Sequence, residues 1–343
     1  MKIDVYTHVQ PKKFEEALNQ RVSSDKLLNG VGMRRDIGDI SRAIWDMDLR
    51  LSIMDRYEGL VHVLTPTNRP LELVASPADA AYLAQVYNDE MAKLVAKYPD
   101  RLVAAVACLP MNNIDAALKE IDRAINELGF KGVLIHTPIY DQSPDRRRAI
   151  DSPEIMPIYE LMAKYDLPIW IHPRIEASVP NYTNEDKAMY GIHHIFGWPY
   201  ESSVAMSRLV FSGIFDKYPN IKFITHHCGA MIPYFATRIA SSYEYWDKAV
   251  KAGFADKLTL PPVEYFKMFY NDTALYGNTA ALMCAHAFFG ADHILFATDF
   301  PYDAELGDKF TRDTIAAVEG MSISDAEKGQ IFEGNAKALL KLE

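Results

Sequence analysis

Residues 293–302 read HILFATDFPY. Apolar and small residues from Ile294 to Ala297 lead to Asp299, and Pro301 ends the run. A short apolar run closed by a charge and a proline reads as a buried strand. Its aspartate would stand at the C-terminal end, where α/β barrels and open parallel sheets carry their chemistry. One such residue decides nothing, so the other strands must be read at the same end.

Seven further segments have this character. They are Lys2–His8, Gly59–Thr65, Leu102–Cys108, Gly132–His136, Leu167–His172, Ile221–His227 and Met268–Thr273. Most are near-continuous apolar runs, as expected of strands buried on both faces of a parallel sheet. Helical segments separate them. Ile114–Leu128 spaces Ile114, Ala117, Leu118, Ile121 and Ile125 on one face, and Gly129 stops it. Ala78–Tyr98, Pro153–Tyr165 with Ser152 as N-cap, Ser202–Tyr218, Ala230–Lys248 and Asn278–Phe289 follow the same rhythm. Strand–helix alternation of this kind predicts a (β/α)₈ TIM barrel, distorted by insertions after strands one and five. We expect one domain over residues 1–343, with insertions at about 11–48 and 174–200. The first contains NGVGMRRDIGD, and the second is rich in aromatic and polar residues. Long loops at the C-terminal face shape substrate pockets.

Composition narrows the function. Of 343 residues, 49% are hydrophobic and 24% charged, the balance of a soluble globular protein. A net charge of −10 argues against nucleic acid or an acidic membrane as partner. The start, MKIDVYTHV, reads as an immediate strand, not a signal peptide. Cys108, Cys228 and Cys284 are far apart and odd in number, which suggests a reducing compartment and hence the cytoplasm.

The strand ends carry the chemistry. Strand one ends at His8, five at His172, six at His226-His227 and eight at Asp299. A barrel brings these ends to one opening. Imidazoles with a carboxylate suit a divalent metal such as zinc, manganese or iron. Other histidines read differently. His62 is mid-strand and packs, and His136 is as much core as site. His193 and His194 lie in the insertion, while His286 and His293 lie at the wrong end.

These motifs resemble the amidohydrolase-related branch that includes aminocarboxymuconate semialdehyde decarboxylase and γ-resorcylate decarboxylase. The resemblance rests on I-D-x-x-x-H at Ile3–His8, L-P-I-x-I-H-P-R at Leu167–Arg174 and G-W-P-Y-E at Gly197–Glu201. It continues in H-x-G at His227–Gly229 with Pro233 following, L-F-x-T-D-x-P at Leu295–Pro301 and G-N-A at Gly334–Ala336. It implies a metal site of His8, His172 and Asp299 holding one zinc or manganese ion, with iron as an alternative. His227 then matches the acid or base near the metal; the spacing to Pro233 selects it over His226. Asp299 is the other candidate for proton delivery. Where the family carries a further histidine or glutamate on the first strand, this chain has Tyr6. Period-two alternation turns Tyr6 and His8 to the same inner face. Tyr6 then ligates as a phenolate, hydrogen-bonds a metal-bound water, or fills space. The resemblance also points to Arg50 for a substrate carboxylate. Arg174 is a second guanidinium for that task, and Trp198, Tyr200 and Phe300 are candidate walls for a planar ring.

The implied reaction is metal-dependent, non-oxidative decarboxylation of a hydroxybenzoate- or muconate-like acid, a small-molecule carboxylic acid. The runner-up is hydrolysis or hydration of a lactone, ester or amide through metal-activated water. No lysine ends strand four, which favours one metal over a lysine-bridged pair. A degenerate member that only binds a small acid is the third possibility. The resemblance further suggests a homodimer or higher homo-oligomer.

Overall fold

The computed structural model describes residues 1–23, 42–67, 69–243, 245–253 and 257–342. The stretch NGVGMRRDIGD lies outside the described residues. The chain opens on β1 (Lys2–Val9), then β2 (Leu60–Pro66) and β3 (Leu102–Ala105, continued by Ala107–Cys108). It goes on through β4 (Val133–Thr137), β5 (Ile169–Pro173), β6 (Phe223–Thr225), β7 (Tyr270–Asp272) and β8 (Ile294–Leu295). All neighbouring pairs are parallel and follow chain order. The ring closes between the first and last strands. Val5 N donates to Phe296 O at 3.0 Å, His8 N donates to Phe300 O at 2.8 Å, and Thr7 bridges Phe300. The expected TIM barrel is therefore the fold.

The helices follow from local sequence. The first expected insertion opens with α1 (Lys12–Arg21) and ends in α2 (Met47–Met54), so its described part is more regular than expected. Ser76 caps α3 (Pro77–Lys97), its side chain accepting from Asp79 N at 3.2 Å, and Pro77 sits at the first turn. Asn113 caps α4 (Ile114–Asn126), which buries Ala117, Ile121 and Ala124. Ser152 makes no side-chain cap; a 3₁₀ turn at Pro153–Ile155 leads into α5 (Met156–Tyr165) instead. The helix α6 (Gly197–Phe211) starts five residues earlier than Ser202, because Gly197 and Pro199 fall in a first turn that tolerates both. The single helix expected over Ala230–Lys248 is broken into α7 (Ala236–Tyr243) and a piece at Trp246–Lys251. Residues before Ala236 are turns with left-handed backbone at His227, Cys228 and Ala230.

Packing forms two layers. Inside the barrel, Val61, Val63, Ala104, Leu134, Trp170, Ile224 and Leu295 are buried together. The C-terminal helix α10 (Asn335–Leu340) adds Ala336, Leu339 and Leu340 to that cluster. α8 (Thr279–Phe289) and α9 (Asp308–Glu319) belong with α1 to α7 to the outer layer. No helix among the described residues is long and apolar enough to cross a membrane.

Candidate active site

The C-terminal ends of the strands converge as a barrel requires. His8 Nδ1–H donates to the Pro66 carbonyl at 2.6 Å, and His172 Nδ1–H donates to the Pro173 carbonyl at 2.8 Å. A carbonyl can only accept, so in the neutral form of each ring Nε2 is the lone-pair nitrogen. His226 uses Nδ1 on the Asp272 carboxylate. The Nε2 atoms of His8 and His226 stand 3.2 Å and 3.4 Å from the same oxygen of Asp299. Both nitrogens are buried and neither is aligned for a hydrogen bond. One donor atom from each of His8, His172 and His226 lies within 4.8 Å of the others, as do donors of His226, His227 and Asp299. Buried imidazole lone pairs facing one carboxylate oxygen are what a divalent cation needs, and hydrogen-bonding partners for them are lacking. The donor set of nitrogens and a carboxylate suits zinc or manganese.

Charge follows this geometry. Burial raises the Asp299 carboxyl, but His226 and His8 outweigh it, so Asp299 is held well below the usual carboxylate range. Burial, then the neighbouring His226 and His8, push His172 well below the ordinary imidazole value. Burial and His226 do the same to His227. His226 goes the other way: burial opposes its charge, yet Asp272 and Asp299 raise it to about 10.

Tyr6 lies in the middle of this group. Its ring stacks on His226 with centroids 4.0 Å apart and is 5.4 Å from His8. The alternation that put Tyr6 and His8 together is not simple, because the β1–β2 register shifts between Asp4 and Thr7. Val5 consequently joins the inner cluster as well. The Tyr6 hydroxyl is buried without a partner. Burial, then Asp272 and Asp299, push it well above an ordinary phenol, which favours the neutral form.

The other predicted residues divide. Trp198 is close: its ring meets His172 edge-on at 5.6 Å and His194 at 4.4 Å. Arg174 is buried, with Nε 2.6 Å from Glu176 and its guanidinium 5.5 Å over Trp198. Its charge is thus matched by a carboxylate of the protein. Arg50 lies in the core. It is fully buried and holds the carbonyls of Ala43 and His8 and the ring of His62. Its fork is turned into the protein, behind His8. The Phe300 ring lies under Arg50 at 4.7 Å and against His62 at 5.1 Å. Tyr200 is 60% exposed on α6. His136 sits 5.4 Å from His172 and donates toward Thr67 O at 3.2 Å. His293 stacks on Tyr270 and His286 pairs with Glu327, both away from the cluster.

Two residues of the cluster, Asp272 and Tyr276, are not singled out by the sequence, and His226, which stands after the same strand as His227, ranks below it there. Asp272 ends β7 as Asp299 follows β8, and that position was the available signal. Tyr276, whose hydroxyl lies 3.4 Å from Asp299, has no sequence signature.

A model of the amidohydrolase family, described as "Amidohydrolase", matches residues 3–342. The γ-resorcylate decarboxylase of Polaromonas sp. strain JS666 is 33% identical, covering 88% of this chain and 89% of that protein. The 2-amino-3-carboxymuconate-6-semialdehyde decarboxylase of Dictyostelium discoideum is 26% identical over 100% of this chain and 92% of its own. Among solved structures, a dihydroxybenzoic acid decarboxylase from Polaromonas sp. JS666 with bound manganese and 2-nitroresorcinol superposes with a TM-score of 0.78. It is 27% identical and covers 99% of this chain and 96% of that one.

Proposed function

This chain belongs to the amidohydrolase family, and on that footing we propose that it is a metal-dependent, non-oxidative decarboxylase of a hydroxybenzoate- or muconate-like acid. One observation carries the reading. Three imidazoles and a carboxylate face each other in a buried cluster in which the inward nitrogens of His8 and His226 have no hydrogen-bond partner. His8, His172 and Asp299 are assigned to hold the ion. When bound, a divalent ion supplies fixed positive charge that orients and polarises the acid's oxygens.

The chain's own groups then have separate tasks. Asp299, held as an anion, suits a ligand better than an acid. His227 has a buried Nδ1 without a partner, next to Asp299 and 6.4 Å ring to ring from Tyr276. We assign it the proton. His227, once charged by a proton taken from the incoming acid, places that proton on the carbon that bears the carboxylate. The carbon–carbon bond then breaks, its electron pair returns to the ring or diene, and carbon dioxide departs. Trp198, edge-on to His172, forms the flat wall for the substrate, and the buried surroundings exclude water. Arg174 is the remaining candidate for the carboxylate, shared with Glu176.

The deciding experiment measures carbon dioxide release from a panel of hydroxybenzoates and muconate-type acids by the manganese-loaded protein. Release from at least one of them is expected; turnover confined to lactones or esters would replace the reading by hydrolysis.

We also propose a homodimer or higher homo-oligomer. Tyr200 and Phe235 line one apolar groove with Met231, Ile232 and Ile239, and Tyr234 beside it is 78% exposed. A light-scattering mass of a single chain would overturn this. A cytoplasmic location is proposed on the three unpaired cysteines, of which Cys108 and Cys228 are buried.

A further inference from the structure

We propose that His226 is a ligand of the metal, a third imidazole beside His8 and His172, held in place by Asp272. This role rests on the reading above, which supplies the divalent ion. It concerns a residue to which that reading gives no task.

The geometry separates His226 from His227. One donor nitrogen of His226 lies within 4.8 Å of donors on both His8 and His172. His227 shares a cluster with His226 and Asp299 only. The His226 ring is fixed at both ends. Asp272 takes the Nδ1 proton with one oxygen, while its other oxygen accepts from Cys228 N at 2.9 Å and Ala274 N at 3.0 Å. A carboxylate so anchored cannot swing, and it fixes Nδ1–H outward, so that Nε2 faces the other donors and offers its lone pair once a cation displaces its proton. Carboxylate to histidine to metal is the ordinary way a protein orients a ligating imidazole. Tyr6 closes the ring's face at 4.0 Å and 21°. Nε2 is buried without a hydrogen-bond partner and stands 3.4 Å from Asp299 Oδ1, the oxygen that also faces His8. A ring locked on Nδ1, covered on its face and orphaned at Nε2 has one open valence, and it points at the other donors. Tyr6, neutral and stacked, then needs no role as a ligand, because the coordination it would supply comes from His226.

The test is manganese binding by the full-length protein, read from the electron paramagnetic resonance signal of free ion, on wild type and three variants. His226→Ala is expected to raise the Kd at least about 100-fold. Asp272→Asn, which keeps the ring but loses its anchor, should raise it about 10-fold. His227→Ala should bind manganese as wild type does. Circular dichroism melts of the metal-free proteins show whether each variant folds. Should His226→Ala fail to fold, the Asp272→Asn shift decides. Cobalt substitution adds a ligand-field spectrum, which should change in the His226 variant and not in the His227 variant. Manganese affinity within about 3-fold of wild type in folded His226→Ala, or a wild type that binds no manganese, overturns the proposal. Loss of the decarboxylase reading looks different: the protein binds manganese through His226 yet releases no carbon dioxide from any acid in the panel.

Discussion

Arg50 serves the site from behind it. Its guanidinium is sealed in the core, where burial lowers its pKa to about 9 against the pull of Asp4. It spans the carbonyls of Ala43 and His8 and the ring of His62, and so fixes the backbone that presents the His8 imidazole. Sequence could show that Arg50 lies on a helix entering the second strand. It could not show that the helix turns its arginine inward, because α2 has charged and apolar residues on every side. Arg50→Met should therefore lower stability by roughly 2–4 kcal/mol, since two buried carbonyls lose their donor. Urea unfolding reads that loss, and manganese binding should weaken with it, because His8 loses its support. Unaltered stability with a raised KM would return Arg50 to the substrate.

At the scale of the element, the turn after β6 decides which imidazole does what. The apolar run Ile221–Thr225 announced the strand, and the adjacent pair His226-His227 announced its end. A strict strand would send those two rings to opposite faces. The backbone instead enters the left-handed region at His227 (φ 56°), Cys228 (φ 54°) and Gly229 (φ 71°), and both rings reach the cluster. Period-two reasoning ends where the strand ends, so the choice between the two histidines was not legible. The strands themselves were, because burial on both faces leaves continuous apolar runs that end abruptly in a polar group. Gly229 pins this turn. A Cβ there would meet the Phe289 ring at 2.6 Å and Asn271 Oδ1 at 2.8 Å, in a conformation that already strains any other residue. Gly229→Ala should cost about 1–3 kcal/mol of stability by urea unfolding and weaken manganese binding, through displacement of His226. Wild-type values for both would mean the turn tolerates a side chain.

For the whole molecule, the barrel explains why residues 8, 172, 226 and 299 meet, and that gathering was foreseeable from strand order alone. The insertions were foreseeable only as insertions, since loop sequence carries no periodic code for shape or substrate. A fold that buries so much of every strand also buries acids away from its chemistry. Glu72, 1% exposed in a short turn of helix after β2, has one oxygen without a hydrogen-bond partner. Burial raises its carboxyl from 4.5 to about 7, with only its own backbone and Arg148 opposing. The folded pKa lies above the unfolded one, so the sign is fixed. The contribution is fully present below about pH 4.5 and is lost as the pH rises through about 7, because the unfolded chain ionises first. Glu72→Gln removes the proton from this balance while keeping shape. The variant should match wild type near pH 4 and become more stable as the pH rises, by about 1–3 kcal/mol above pH 7. Melting temperatures of the two proteins across pH 4–8 measure the difference. A gap that stays constant over that range, or closes toward neutral pH, would show that Glu72 is ionised in the folded barrel.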